Sequence, residues 1–328
     1  MISDTCRSLI AESRRFSTTY GAGFFNHLPM ALLALERLGG DDARLRQFAT
    51  FYEKRLRLQA PGESLPNDDW REALGKRRYE SVLPVKFEHD LRTRGADALL
   101  RDIVPHLTAG LASEAFHGAI RVAYAVDSGD DVDVAGALAS WVTGFSELPG
   151  APGQTRFDTA TDAFAAIADD DRFAATIEGR SIDSRLAKVN VLPAFNDYRS
   201  SIAHVALPDL ARIAARIFIA TGDFVALHLV TACHAARVLE PFLLPFALDV
   251  LSNAMLAAYV AIGRPSLATT KIDDSSDLAS RATKSDDDHD LKLVYCCLQE
   301  EAHYKSGLHR AAAAVRLRGR EEIGDAQP

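Results

Sequence analysis

Apolar side chains in this chain recur at helical offsets. Leu45, Phe48, Tyr52 and Leu56 share one face of a helix predicted over 41–59, and Pro61-Gly62 stops it. A helix over 29–38 opens with Pro29, suited to a first helical position, and ends at Gly39-Gly40, a natural C-terminal cap. The same period predicts helices over 80–93, 96–126, 131–148, 156–168, 182–200, 208–221, 224–239, 241–262 and 288–318. Pro105 is expected to break or kink the helix over 96–126, because proline removes a backbone donor and clashes with the preceding turn. Alternating β-branched stretches are scarce and Ala, Leu and Arg abundant, so the expected fold is all-α.

Two segments interrupt the pattern. Residues 148–153 (Leu-Pro-Gly-Ala-Pro-Gly) form an expected turn or short linker between helical halves. Residues 271–287 are polar, rich in Asp and Ser, and are expected to form a mobile loop or lid. No internal repeat of fixed period points to a solenoid. The expectation is a single large helical domain spanning residues 1–328, bundle-like, with a buried site between helices.

Composition narrows the function classes. With 48% hydrophobic and 25% charged residues, the chain has ample material for a core. A net charge of −8 argues against general binding to nucleic acid or an anionic membrane. No apolar run approaches the roughly 20 residues of a membrane span. The N-terminus, with Asp4, Arg7, Glu12 and Arg14-Arg15, lacks the apolar stretch of a secretory signal. Cys6, Cys233, Cys296 and Cys297 show no CxxC spacing, so the expected setting is a reducing cytoplasm without disulfides.

The candidate chemistry lies in ten histidines. An imidazole among apolar residues needs a hydrogen-bond partner or a metal, and is ordinarily a satisfied core residue. His89, His106, His303 and His309 have polar neighbours and keep that ordinary reading. His27 precedes the proline-started helix, and His117 precedes Gly118, which would permit close helix approach. His228 and His234 bracket Thr231. An offset of six turns a helix through about 600°, leaving the two about 120° apart. Both can bind one metal only on a distorted helix, so the expectation is that one ligates and the other supports it from behind. His289 and Lys292, three apart, share a helical face, and Lys292 has the alternative of pairing with Asp288. The chain has no HExxH, zinc-finger spacing, GxSxG or P-loop, and no GxGxxG opening a strand–helix unit. An imidazole-rich site between helices would suit iron, zinc, copper or nickel.

Four runs carry a family resemblance: Asn26-His-Leu-Pro-Met-Ala-Leu-Leu-Ala-Leu-Glu-Arg-Leu-Gly39, Phe116-His-Gly-Ala-Ile-Arg-Val-Ala-Tyr124, His228-Leu-Val-Thr-Ala-Cys-His-Ala-Ala-Arg237 and His289-Asp-Leu-Lys292. In order and content the chain resembles the questin oxidase-like family. The resemblance implies an α-helical oxygenase that oxidatively cleaves a ring of an anthraquinone-type aromatic polyketide, with a Baeyer–Villiger-like outcome. It also implies a non-haem iron held by histidines and a lysine carboxylated on its side-chain nitrogen. Carried onto this chain, it makes His27, His117, His228 and His289 the imidazole ligands, Lys292 the modified lysine and Thr231 its hydrogen-bond partner, with dioxygen as co-substrate. His234 has no certain place in that set. Two other readings stand beside it: an NADPH-assisted or cofactorless oxidase with histidine bases, for which no nucleotide-binding fingerprint speaks, and a metal-free helical protein binding a small ligand.

Overall fold

The structure, a computed structural model, describes residues 2–150, 153–173, 176–267 and 276–324. The described residues form fifteen α-helices: α1 Asp4–Ser13, α2 Leu28–Arg37, α3 Asp42–Glu53, α4 Leu83–Arg94, α5 Ala96–Leu107, α6 His117–Ser128, α7 Asp131–Thr143, α8 Ala160–Ala168, α9 Ile182–Asn190, α10 Leu207–Thr221, α11 Phe224–Leu239, α12 Ala247–Ala261, α13 Leu278–Ala282, α14 Asp288–Tyr304 and α15 Leu308–Gly324. Strand is confined to two small pairs, β1 Thr19–Tyr20 with β2 Phe24–Phe25, antiparallel, and β3 Phe157–Thr159 with β4 Ile202–His204, parallel. The fold is therefore all-α, as the apolar period predicts. Buried apolar residues from Ile2 to Leu317 form one continuous cluster, so the helices pack as one domain. No helix among the described residues is long and apolar enough to cross a membrane. All four cysteines are free and buried.

Helix boundaries depart from the predicted ones where local chemistry outweighs the apolar period. The helix expected over 96–126 is two: α5 ends two residues past Pro105, and α6 begins at His117. The helix expected over 288–318 breaks at Lys305 and Gly307, both left-handed (φ 53° and 76°), to give α14 and α15. That over 182–200 stops at Asn190, because Pro193 disfavours helical backbone at Leu192. The helix expected over 41–59 ends at Glu53, and that over 241–262 starts only at Ala247. α1, capped by the Ser3 hydroxyl accepting from the Cys6 N–H, was not predicted.

Of the expected turn at 148–153, residues 151–152 lie outside the described set. The chain beyond it is tied at once to the 199–201 segment, through the Gly153 N–H to the Arg199 carbonyl and the Arg156 N–H to the Ser201 carbonyl. The core crosses this point, since α6 packs on α7 before it and on α11 after it. Of the expected loop at 271–287, residues 271–275 lie outside the described set. The remainder is not structureless: α13 buries Leu278 and Ala282, and the Arg44 guanidinium donates to the Thr283 and Ser285 carbonyls.

The arrangement that matters for function is the set α2, α6, α11 and α14. α14 packs on α2 and α11, α11 on α6, and α6 on α2. Gly118 permits the close approach expected of it, since a Cβ there would run into the Trp141 ring of α7.

Candidate metal centre

Four histidines stand in or beside the first turns of those four helices: His27 caps α2, His117 opens α6, His289 is second in α14 and His228 fifth in α11. Their rings meet. His27 stacks on His117 (centroids 4.7 Å apart), His289 stands edge-on to His27 (4.8 Å), and His228 edge-on to both His117 (4.9 Å) and His289 (5.9 Å). Phe25 stacks on His117 (4.7 Å) and also lies beside His27 (5.9 Å), and Phe224 packs against His228 (4.7 Å) and His289 (4.8 Å).

The chain fixes each ring from one nitrogen. His27 Nδ1 donates to Asp288 Oδ2 at 2.5 Å, and His289 Nδ1 lies 3.2 Å from the same oxygen. His228 Nδ1 donates to the Phe224 carbonyl at 2.8 Å, and His117 Nδ1 to the Glu114 carbonyl. A carbonyl only accepts, so Nδ1 must carry the proton in His117 and His228, leaving the lone pair on Nε2. Metal-binding histidines are oriented by this same kind of bond. Asp288 is free for the task because its neighbours answer to others. Asp287 caps α14, and Asp290 takes the Arg316 guanidinium at 2.5 Å.

His117 is placed at a conformational cost. Glu114, Ala115 and Phe116 are three successive non-glycine residues in the left-handed region (φ 51°, 57° and 68°), a strain on the order of 1–2 kcal/mol each. The Ala115 N–H bonds Asp183 (2.7 Å), Arg77 pairs with Glu114, and Phe116 is fully buried. These contacts hold the turn that delivers His117 to the start of α6.

Five histidine Nε2 atoms among the described residues are buried with no hydrogen-bond partner: those of the clustered His27, His117, His228 and His289, and that of His234 outside the cluster. One unsatisfied buried polar atom costs about 1–3 kcal/mol, so four in one cluster of touching rings are a large uncompensated cost. They are what a metal ion would satisfy. Burial holds the rings neutral: it pushes His228 and His289 down to about 3, and His27 and His117 well below the ordinary value, with Lys292 and the other rings adding to the effect. Neutral imidazole is the ligating form. His27, Asp288 and His289 also bring ligand atoms within 4.8 Å of one another, a group able to hold a metal ion. Asp288 Oδ2 is already engaged by Nδ1 of His27, which leaves Nε2 as the free donor and Asp288 as the residue that aims it.

A pH dependence follows. Below the ordinary imidazole value of 6.5 the unfolded chain takes up protons that the folded rings refuse, so stability falls as pH falls. Each ring contributes up to about 1.4 kcal/mol per pH unit in that range. Metal-free protein should show a steady melting temperature from pH 8 to 7 and a steep decline from pH 6.5 to 5. A flat profile through pH 5 would mean the rings are not buried neutral.

Lys292 is 3% exposed and acts electrostatically on all four rings. It does not pair with Asp288: among the described residues its amine makes no hydrogen bond or ion pair. Burial lowers it to about 8, despite the opposing pull of Asp288. The two remaining predicted residues are placed differently. Thr231 is buried, but its hydroxyl donates back to the carbonyls of Leu227 (3.4 Å) and His228 (3.2 Å), with no bond to Lys292. His234 lies outside the ring cluster, as the 120° offset on an undistorted α11 requires. Its Nδ1 donates to Glu300 (2.7 Å), which Arg237 also grips, and its ring packs edge-on against Tyr124 and Tyr295. The support expected of it from behind His228 is absent. Its nearest tie to the centre is Tyr124, whose hydroxyl donates to the Lys292 carbonyl (2.9 Å). His234→Ala should therefore lower the melting temperature while leaving metal content unchanged; loss of metal would return it to the centre. His309, given the ordinary reading, is buried with Nδ1 unpartnered.

A cavity of about 480 Å³ opens onto this cluster, lined by His27, His117 and His289, by Phe25, and by the exposed Phe24 and Phe224. Its size suits a small aromatic molecule. Sequence reasoning missed Asp288 as a member of the centre and Phe25 and Phe224 as its walls. The one available signal was an Asp directly before His289, which reads equally well as a helix-start acid.

A helical fold that gathers neutral, oriented imidazoles beside an aromatic-walled cavity is able to hold a metal ion between its helices. The model of the questin oxidase-like family matches residues 24–297, which include all four histidines and Lys292. The chain belongs to the questin oxidase-like family, which makes it an oxidoreductase. No curated protein matches it.

Proposed function

We propose that the chain is a non-haem iron oxygenase that uses dioxygen to cleave a ring of a small phenol or hydroquinone of the anthraquinone type, with a Baeyer–Villiger-like outcome. His27, His117, His228 and His289 would hold the iron through Nε2. Lys292, as a carbamate, would supply an anionic oxygen. The observation that supports this reading is the clustering of four imidazoles with buried, unpartnered Nε2 atoms, three of the rings lining an aromatic cavity.

Bound there, the metal supplies Lewis acidity and a site for dioxygen chemistry. The protein's own part is orientation and exclusion. Asp288 and the Phe224 and Glu114 carbonyls hold the rings from behind, while Phe25 and Phe224 keep water from the faces of the imidazoles. The carbamate forms when the neutral Lys292 amine bonds to the carbon of carbon dioxide and releases a proton. A lysine lowered to about 8 has enough free amine for this at neutral pH. The electrostatics favour the change. Helix N-termini carry partial positive charge, and four of them meet here, so a cation among them needs an anionic ligand, which Asp288, bound to Nδ1 of His27, does not supply.

The test is metal analysis of protein purified without chelators, joined to oxygen uptake with polyhydroxylated naphthalenes and anthracenes. About one iron per chain and substrate-dependent oxygen uptake are expected. Metal-free protein that consumes oxygen with the same substrates would overturn the iron reading and favour the histidines as bases.

A further inference from the structure

The cavity over the histidines does not end at its aromatic walls. Gly179, Arg180 and Arg185 line both it and an adjoining groove of about 590 Å³, which also includes Lys188. The inner end of this continuous space is imidazole and phenyl; the outer end is basic. Arg180 is exposed and makes no ion pair among the described residues. Arg185 donates to two carbonyls, of Ile177 (2.9 Å) and Ala261 (2.7 Å), and Lys188 to the Glu178 carbonyl (2.8 Å). Carbonyls are neutral, so these three cations face a single groove carboxylate, that of Glu178. The two acids of the inner cavity are engaged elsewhere, Asp183 with the Ala115 N–H and Glu114 with Arg77. Some exposed arginines elsewhere on this chain of net charge −8 are matched by carboxylates, as Arg172 is by Asp170 and Asp197, and Arg101 by Asp97. Others, such as Arg57 and Arg92, make no ion pair among the described residues. The start of α9, capped by Ser181, adds its positive helix end at the same place.

We propose that this outer end binds a carboxylate carried by the aromatic substrate, with Arg180 as the residue that selects for it; the inference rests on the cavity being the substrate site. The aromatic body lies toward Phe224 and the histidines, and the carboxylate reaches the Arg180 fork. Arg185 is fixed to the backbone and contributes field more than contact. Arg180 is a specificity residue and takes no part in the chemistry.

Binding of a matched pair of probes, a naphthalene carboxylate and the corresponding neutral naphthalene methanol, tests this on the full-length protein as purified, under argon so that no turnover occurs. Calorimetry should show the carboxylate binding roughly 3–10-fold more tightly at low salt, with the advantage shrinking as salt rises. Arg180→Gln should erase the preference while leaving the neutral probe unchanged, and Arg180→Lys should keep part of it. Equal binding of the two probes, failure of both to bind, or a preference that survives in Arg180→Gln would overturn the proposal. Because the readout is binding, its failure leaves the metal content of the same samples, and so the iron reading, to be judged separately.

Discussion

Alanine in place of His117 should strip the metal from the purified protein while leaving a folded chain. Replacing a residue that only orients a ligand costs about 10–100-fold in metal affinity, and loss of a ligand costs more. His117 is the most informative of the four because it stands apart from the Asp288 bridge that holds His27 and His289 together. Its loss should therefore leave the other rings in place. The strained Glu114–Phe116 turn keeps its ties to Asp183 and Arg77, and removing the ring also removes one unsatisfied buried nitrogen. Melting of the metal-free variant should stay within a few degrees of the metal-free parent, with metal analysis showing near-complete loss. Full occupancy in His117→Ala would remove it from the ligand set. Asp288→Asn should give the intermediate result, weaker binding by the 10–100-fold expected of an orienting group.

The second large effect is at Lys292. Lys292→Met keeps the apolar stem and removes a buried amine without a partner, so the metal-free fold should be as stable or more so. Activity should fall by about 100-fold or more, on the scale of removing one electrostatic contributor from an active site. Lys292→Glu should recover part of it, since glutamate offers anionic oxygens on a shorter arm. A structural lysine would behave oppositely, with lost stability and retained turnover. Retained activity in Lys292→Met would end the carbamate proposal.

The candidate site was legible at the level of residue type and helix phase. His228 and Lys292 fall on faces that the 3.6-residue period sends inward, and the 120° offset correctly kept His228 and His234 apart. What the period could not show is how ends are made. Phe116 looks like one more apolar residue of a continuous helix, yet it is left-handed, and that reversal creates the N-terminus from which His117 projects. Asp288 hid for a related reason: an acid at a helix start explains itself locally, and its bond to His27 spans most of the chain. Residues 276–287 read as loop because their composition is polar, although Leu278 and Ala282 suffice to dock a short helix. Thr231, assigned to the lysine by resemblance, turns back onto its own helix, a local competition that sequence spacing does not reveal.

The central claim is that four Nε2 atoms converge on one metal ion, and anomalous diffraction at the iron edge addresses it directly. A crystal of protein purified without chelators should give a single strong anomalous peak between α2, α6, α11 and α14, about 2.0–2.2 Å from Nε2 of His27, His117, His228 and His289. Density should extend from Lys292 Nζ toward the same peak. A peak bound instead through Nδ1, one lying at His234 and Glu300, or none in protein active with oxygen would contradict the account.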